Sequence, residues 1–92
     1  MRQYECVYIL DPALAEDDLG SLSERFRQVV LGQGGNVDGL DKWEKRRLAY
    51  EVKGKRDGVY YVMNFTADPG AEAELERVLR LTEGVLRHLD RR

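Results

Sequence analysis

Apolar residues in this chain repeat with two alternating periods. From residue 3 to 10, QYECVYIL, they recur every second position. Tyr4, Cys6, Tyr8 and Leu10 share one face, and Val7 and Ile9 share the other, behind Gln3 and Glu5. This pattern predicts a strand, and apolar residues on both faces predict a central one. Asp11 and Pro12 end it. From about 16 to 33 the spacing becomes helical, with Leu19, Leu22, Phe26, Val29 and Val30 on one stripe and Glu24, Arg25, Arg27 and Gln28 outside it. Gly34 and Gly35 supply the stop.

Residues 36–52 read as a long second strand, interrupted near Gly39. The segment KGKRDG reads as a hairpin connection with two glycines. VYYVMNFTA, residues 59–67, alternates as a third strand: Val59, Tyr61, Met63 and Phe65 against Tyr60, Val62, Asn64 and Thr66. Asp68 and Pro69 open a second helix, a good N-cap followed by a proline suited to the first turn. Its buried stripe is Ala71, Leu75, Val78 and Leu79. VLRHLD, after Gly84, is a short fourth strand.

The order is β-α-β-β-α-β, read as a single domain over residues 1–92. With right-handed crossovers it predicts an α+β ferredoxin-like fold, the split β-α-β sandwich. That is a four-stranded antiparallel sheet with two helices on one face. Tyr8, Leu48 and Met63 are expected on the covered face. Val7, Ile9, Ala49, Tyr60 and Val62 then carry the parity of the open face, the expected surface for a partner protein.

Composition adds limits. Of the 92 residues, 42% are hydrophobic and 35% charged, an ordinary balance for a globular chain. No apolar run approaches the roughly 20 residues that span a bilayer, so no membrane role is expected. The strand-like N-terminus has no small-residue cleavage pattern, which speaks against a signal peptide. The single cysteine, Cys6, lies in an apolar stretch and reads as a buried thiol; a reducing, cytoplasmic setting agrees with it.

Charge changes the picture more. The net charge is −2. Yet between Lys42 and Arg56, seven basic residues (Lys42, Lys45, Arg46, Arg47, Lys53, Lys55, Arg56) face only Glu44 and Glu51, so this segment carries +5 and the rest −7. For a polyanion the local field matters more than the total. Trp43 and Tyr50 bracket the basic run, and aromatic rings offer stacking surfaces to unpaired bases. Two readings stand: a strand facing RNA, or an edge strand that charge protects from pairing.

Catalytic chemistry finds little support. His88 and Cys6 are too few for a metal site, and Gly34 and Gly35 lack the lysine and spacing of a phosphate loop. Glu72, Glu74 and Glu76 read as a solvated helix face. An acylphosphatase-like hydrolase shares the topology but needs a glycine-rich, arginine-bearing anion loop; DPALAEDD supplies neither. No catalytic residue, metal, cofactor or small-molecule substrate is therefore expected. A small regulatory or ligand-binding module that dimerises through its open sheet face is the alternative to RNA binding.

MRQYECVYILDP, WEKRRLAYEVKGKRDGVYYVMNF and LRLTEGVLRHL together resemble the bacterial small-subunit ribosomal protein six family over essentially the whole chain. RRLAY, preceded by Trp43, is the most specific segment. The resemblance implies a structural, non-enzymatic protein of the cytoplasmic ribosome, in the platform of the small subunit. It implies binding to the central domain of 16S rRNA together with ribosomal protein eighteen. The expected rRNA-binding residues are Arg2 and Tyr4, a basic–aromatic pair, then Lys45, Arg46 and Arg47, then Lys53, Lys55 and Arg56, and Arg87 in the last strand. Three positions depart from the family pattern. Glu44 stands for a common glycine and Glu51 for a common proline, each setting an acid beside the basic strand. Asp90 stands where apolar types are usual.

Overall fold

The computed structural model describes residues 1–91, without the side chain of Glu44. The elements are β1 (Arg2–Leu10), α1 (Glu16–Gly32), β2 (Asn36–Val52), β3 (Lys55–Ala67), α2 (Pro69–Leu81) and β4 (Val85–Arg91). The expected α+β order is found. The strands form one antiparallel sheet in the order β2-β3-β1-β4, so β1 is central, as its two apolar faces predict. No helix among the described residues is long and apolar enough to cross a membrane.

Both helices cover one face. Tyr4, Cys6, Tyr8 and Leu10 of β1 pair across with Phe65, Met63, Tyr61 and Val59 of β3, and all eight are buried against Leu19, Phe26, Val30, Ala71, Leu75 and Leu79. Fully burying one such side chain is worth about 1.5–3 kcal/mol, so this layer dominates stability. Tyr8 organises its centre. Its ring stacks on Tyr61 at 5.2 Å and meets Phe26 edge-on at 5.1 Å. Its hydroxyl shares a buried 2.9 Å hydrogen bond with Ser23 Oγ. Acids Glu16, Asp17 and Asp18 occupy the first turn of α1, where the helix dipole favours negative charge. Gly34, with φ 82°, turns the chain out of α1.

The hairpin between β2 and β3 departs from expectation in two ways. Its turn is only Lys53 and Gly54, with φ 51° and 78°, a pair of left-handed residues suited to a tight hairpin whose twist matches the strands. Most of the segment read as a connection, residues 55–58, is strand.

The second departure concerns which face each residue of β2 occupies. Lys42 pairs with Tyr61 and Lys45 with Val59, so three steps of β2 oppose two of β3. The extra residue is a β-bulge, and it exchanges the faces of everything beyond it. Beyond Arg47 the mismatch grows: Arg47 pairs with Asp57 and Val52 with Lys55. Residues 48–51 therefore arch out of the ladder. They arch over the open face, because a Cβ placed on Gly58 would meet both Ile9 Cγ2 and, at 3.5 Å, Leu48 Cδ2. Leu48, expected beside Tyr8 and Met63, belongs instead to the opposite side of the sheet.

Candidate nucleic-acid and partner interface

The uncovered face begins as a floor of Val7 and Ile9 from β1 and Tyr60 and Val62 from β3, set opposite one another in register. Ile9 and Val62 are already 8% and 6% exposed in the isolated chain, whereas Val7 and Tyr60 are half-buried. Leu89 of β4 lies across from Val7 and is 61% exposed. The arch roofs one side of this floor. Leu48, Ala49, Tyr50 and Val52 face β4 across a groove of about 330 Å³. Arg87 closes the far side: its guanidinium lies 5.4 Å from the Tyr50 ring centre and donates to the Tyr50 hydroxyl. Arg91 is held by Glu5 at 2.7 Å. The groove thus has an apolar base and a basic rim. Tyr50, also 61% exposed, and Leu89 leave apolar surface in water at its mouth.

The five residues assigned to a partner surface, Val7, Ile9, Ala49, Tyr60 and Val62, all line or underlie this face. Ala49 reaches it through the arch and not through strand alternation. The larger apolar contributors, Leu48, Tyr50 and Leu89, were missed. Their signal was visible as exposed-looking apolar residues in RRLAY and VLRHLD, but their face was set by the bulge.

The basic residues separate into groups that the sequence could not distinguish. Lys42 is bound to Glu16 of α1 at 2.8 Å. Lys55 faces Asp11 at 3.6 Å, and Arg56 faces Glu51 at 3.5 Å. Lys53 donates to the Val85 carbonyl at 3.1 Å, tying the hairpin tip to β4. Among the described residues, Lys45, Arg46 and Arg47 make no ion pair. Apart from Lys53, which keeps its charge on a neutral carbonyl, the unpaired charge of the segment lies on three consecutive residues of the β2 edge, each exposed.

Two residues assigned to RNA stand apart. Arg2 is exposed but pairs with Ala67 at the end of β1 remote from the hairpin. Tyr4 is 4% exposed and its ring stacks on Phe65 at 5.2 Å. This corrects its expected place: even positions of β1 face the helices, so the ring belongs to the core and has no free face for a base.

Of the departures from the family pattern, Glu51 acts on the basic segment by engaging Arg56. The side chain of Glu44 lies outside the described residues. Asp90 faces the helix layer, across from Cys6. Both carboxylate oxygens are buried without a hydrogen-bond partner among the described residues. Burial raises its pKa above the ordinary carboxylate value; Glu76 adds to the rise, and the Cys6 thiol and His88 oppose it. Burial likewise pushes the Cys6 thiol up, with Asp90 reinforcing the effect, so this thiol stays protonated and inert.

The arrangement offers a groove for apolar side chains and, beside it, an unpaired basic edge. Comparison with known proteins gives one family at the level of sequence and of fold. The family model described as Ribosomal protein S6 matches residues 3–90. The chain is 51% identical to the small ribosomal subunit protein bS6 of Clostridium botulinum strain 657, over 97% of this chain and 95% of that one. It is 46% identical to the bS6 protein of Caldanaerobacter subterraneus subsp. tengcongensis, over 97% and 94%. Its fold superposes on the crystal structure of 30S ribosomal protein S6 from Thermotoga maritima with a TM-score of 0.94 at 30% identity, covering 99% of this chain and 86% of that one.

Proposed function

Because the chain belongs to the ribosomal protein S6 family, we propose that it is a structural constituent of the small ribosomal subunit, acting in the cytoplasmic ribosome without catalysis. In this reading it binds the central domain of 16S rRNA through the basic β2 edge. Ribosomal protein eighteen occupies the apolar groove. The observation that carries the reading is the adjacency of these two surfaces. Lys45, Arg46 and Arg47 are unpaired among the described residues, and the half-wet groove of Leu48, Tyr50 and Leu89 lies beside them. A polyanion satisfies the first and a protein surface the second.

The electrostatics make the RNA contact modest by itself. Each phosphate contact adds only about 0.7–0.9 to the slope of log K against log salt, so the few that this short edge can make leave the dependence shallow. Affinity then depends on the partner, whose own contacts and burial of the groove add to the complex. The test is binding to a central-domain 16S rRNA fragment across a salt series, with and without ribosomal protein eighteen. Weak binding alone and much tighter binding with the partner is expected. Tight, salt-insensitive binding by the chain alone contradicts the proposal, as does binding unchanged when Lys45, Arg46 and Arg47 are all replaced by alanine.

A further inference from the structure

The three consecutive basic residues of β2 are not equivalent. Lys45 pairs across with Val59 and Arg47 with Asp57, positions whose parity on β3 is that of the helix-covered face. Arg46 pairs with Gly58, whose parity is that of the open face. Strand alternation separates them, and the bulge just before them sets which face each takes. It also brings Trp43 near Arg46: the Arg46 guanidinium carbon lies 4.9 Å from the centre of the Trp43 ring. Trp43 in turn lies nearly parallel to Tyr60, at 12° and 6.5 Å between centroids. Tyr60 is fixed in the ladder opposite Ile9. Trp43 thus touches both Tyr60, anchored in the sheet, and the Arg46 guanidinium.

A guanidinium laid on an aromatic ring uses its face and leaves its N–H edge outward. That edge is the fork that grips two oxygens of a phosphate. Stacking also removes much of the rotational freedom of a long side chain before any ligand arrives, so less is lost on binding. Neither Trp43 nor Arg46 lines the apolar groove. The pair stands instead on the exposed strand where the +5 segment concentrates its field.

We infer that Arg46, held by Trp43 as a positioning residue, is a preformed site for one phosphodiester group of the rRNA, and that Arg47 is not part of it. This rests on the rRNA-binding reading above and assigns distinct roles within it. Trp43 touches the guanidinium and orders it; Arg46 donates two in-plane N–H groups to the phosphate oxygens. Arg47 supplies only diffuse field from the other side.

The experiment measures affinity for the central-domain fragment, with ribosomal protein eighteen present, over a salt series. Arg46→Ala should weaken binding about tenfold and reduce the salt slope by about 0.7–0.9, the loss of one phosphate contact. Trp43→Ala should weaken binding severalfold without changing the slope, because the charge remains. Trp43→Phe, which keeps an aromatic face, should recover most of that loss. Trp43→Ala added to Arg46→Ala should do little more than Arg46→Ala alone, since the two act as one unit. Arg46→Lys should keep the slope and lose affinity, and Arg47→Ala should change affinity less than twofold. Equal effects of Arg46→Ala and Arg47→Ala would overturn the assignment, as would a Trp43→Ala loss that persists undiminished in the Arg46→Ala background. If wild type fails to bind the fragment even with the partner present, the rRNA reading itself falls and this site with it. Wild-type binding with indifferent Arg46 variants removes only the site.

Discussion

Gly58 tests the geometry of the open face because its substitution has a predicted sign. It lies inside β3, and its φ is not left-handed, so alanine fits the backbone. Exchanging a strand glycine for alanine is ordinarily stabilising by about 0.5–1 kcal/mol, because glycine loses more freedom on folding. Here the added methyl would fall well under 3.0 Å from Ile9 Cγ2, with Leu48 Cδ2 closing the other side at 3.5 Å. Ile9 cannot simply turn away, since a β-branched side chain has few rotamers and this one is 8% exposed. Overpacking of this kind costs about 1–3 kcal/mol. Set against the entropic gain, Gly58→Ala should be destabilised by about 0.5–2 kcal/mol. For a domain of this size that is a fall in Tm of roughly 2–16 °C, at about 4–8 °C per kcal/mol. Thermal and urea unfolding followed by circular dichroism would measure it. The double mutant cycle with Ile9→Ala, which removes the clashing methyl, should show a coupling of about 1 kcal/mol or more. A Tm that rises on Gly58→Ala, or a cycle that is additive, would refute the close approach of Ile9, Gly58 and Leu48.

Three further perturbations follow from the same structure. Ser23→Ala strands the buried Tyr8 hydroxyl and should cost about 1–3 kcal/mol, measured by urea unfolding; an unchanged midpoint would mean that water replaces the serine. Asp90→Asn should be more stable than wild type at pH 7. The raised pKa means that the folded state holds this proton more tightly, so wild-type stability falls as pH rises above the ordinary carboxylate range, and the advantage of asparagine should vanish below it. A variant advantage that grows toward acid pH would contradict the sign. Leu89→Asp, at a site 61% exposed, should leave stability within about 0.5 kcal/mol of wild type while weakening binding of ribosomal protein eighteen at least tenfold by calorimetry; undiminished binding would move the partner off the groove.

Periodicity was enough for the elements because each has a clean alternation or a clean helical stripe. Leu19, Phe26 and Val30, and later Ala71, Leu75 and Leu79, declare their buried faces by spacing alone, and they are buried. Strand faces are more fragile, because one inserted residue exchanges them. β2 carries one such insertion at Gly39, where the glycine marks it, and another within KWEK, which contains no glycine or proline to do so. Leu48 was consequently placed on the wrong side, although its apolar character was plain. Tyr4 failed differently: its resemblance to a basic–aromatic pair suggested a surface, while its own alternation with Cys6 and Tyr8 already placed it inside. The charges of the basic segment could be counted but not their partners. Glu16 and Asp11 reach Lys42 and Lys55 only after the chain has folded back on itself.

The strand order has a consequence for synthesis. β1 is made first, yet its neighbours in the sheet are β3 and β4, and Glu5 finds its place opposite Arg91. A chain emerging from its N-terminus therefore exposes QYECVYIL, apolar on both faces, without any sheet partner until β3 has been made. The β2–β3 hairpin can close locally and offers β3 to one edge of the first strand, but the other edge stays open until β4 arrives. Long-range pairing of this kind is slow, and an unpaired apolar strand invites aggregation. A ribosome stalled upstream of β4 would thus release a chain whose central strand is an open edge.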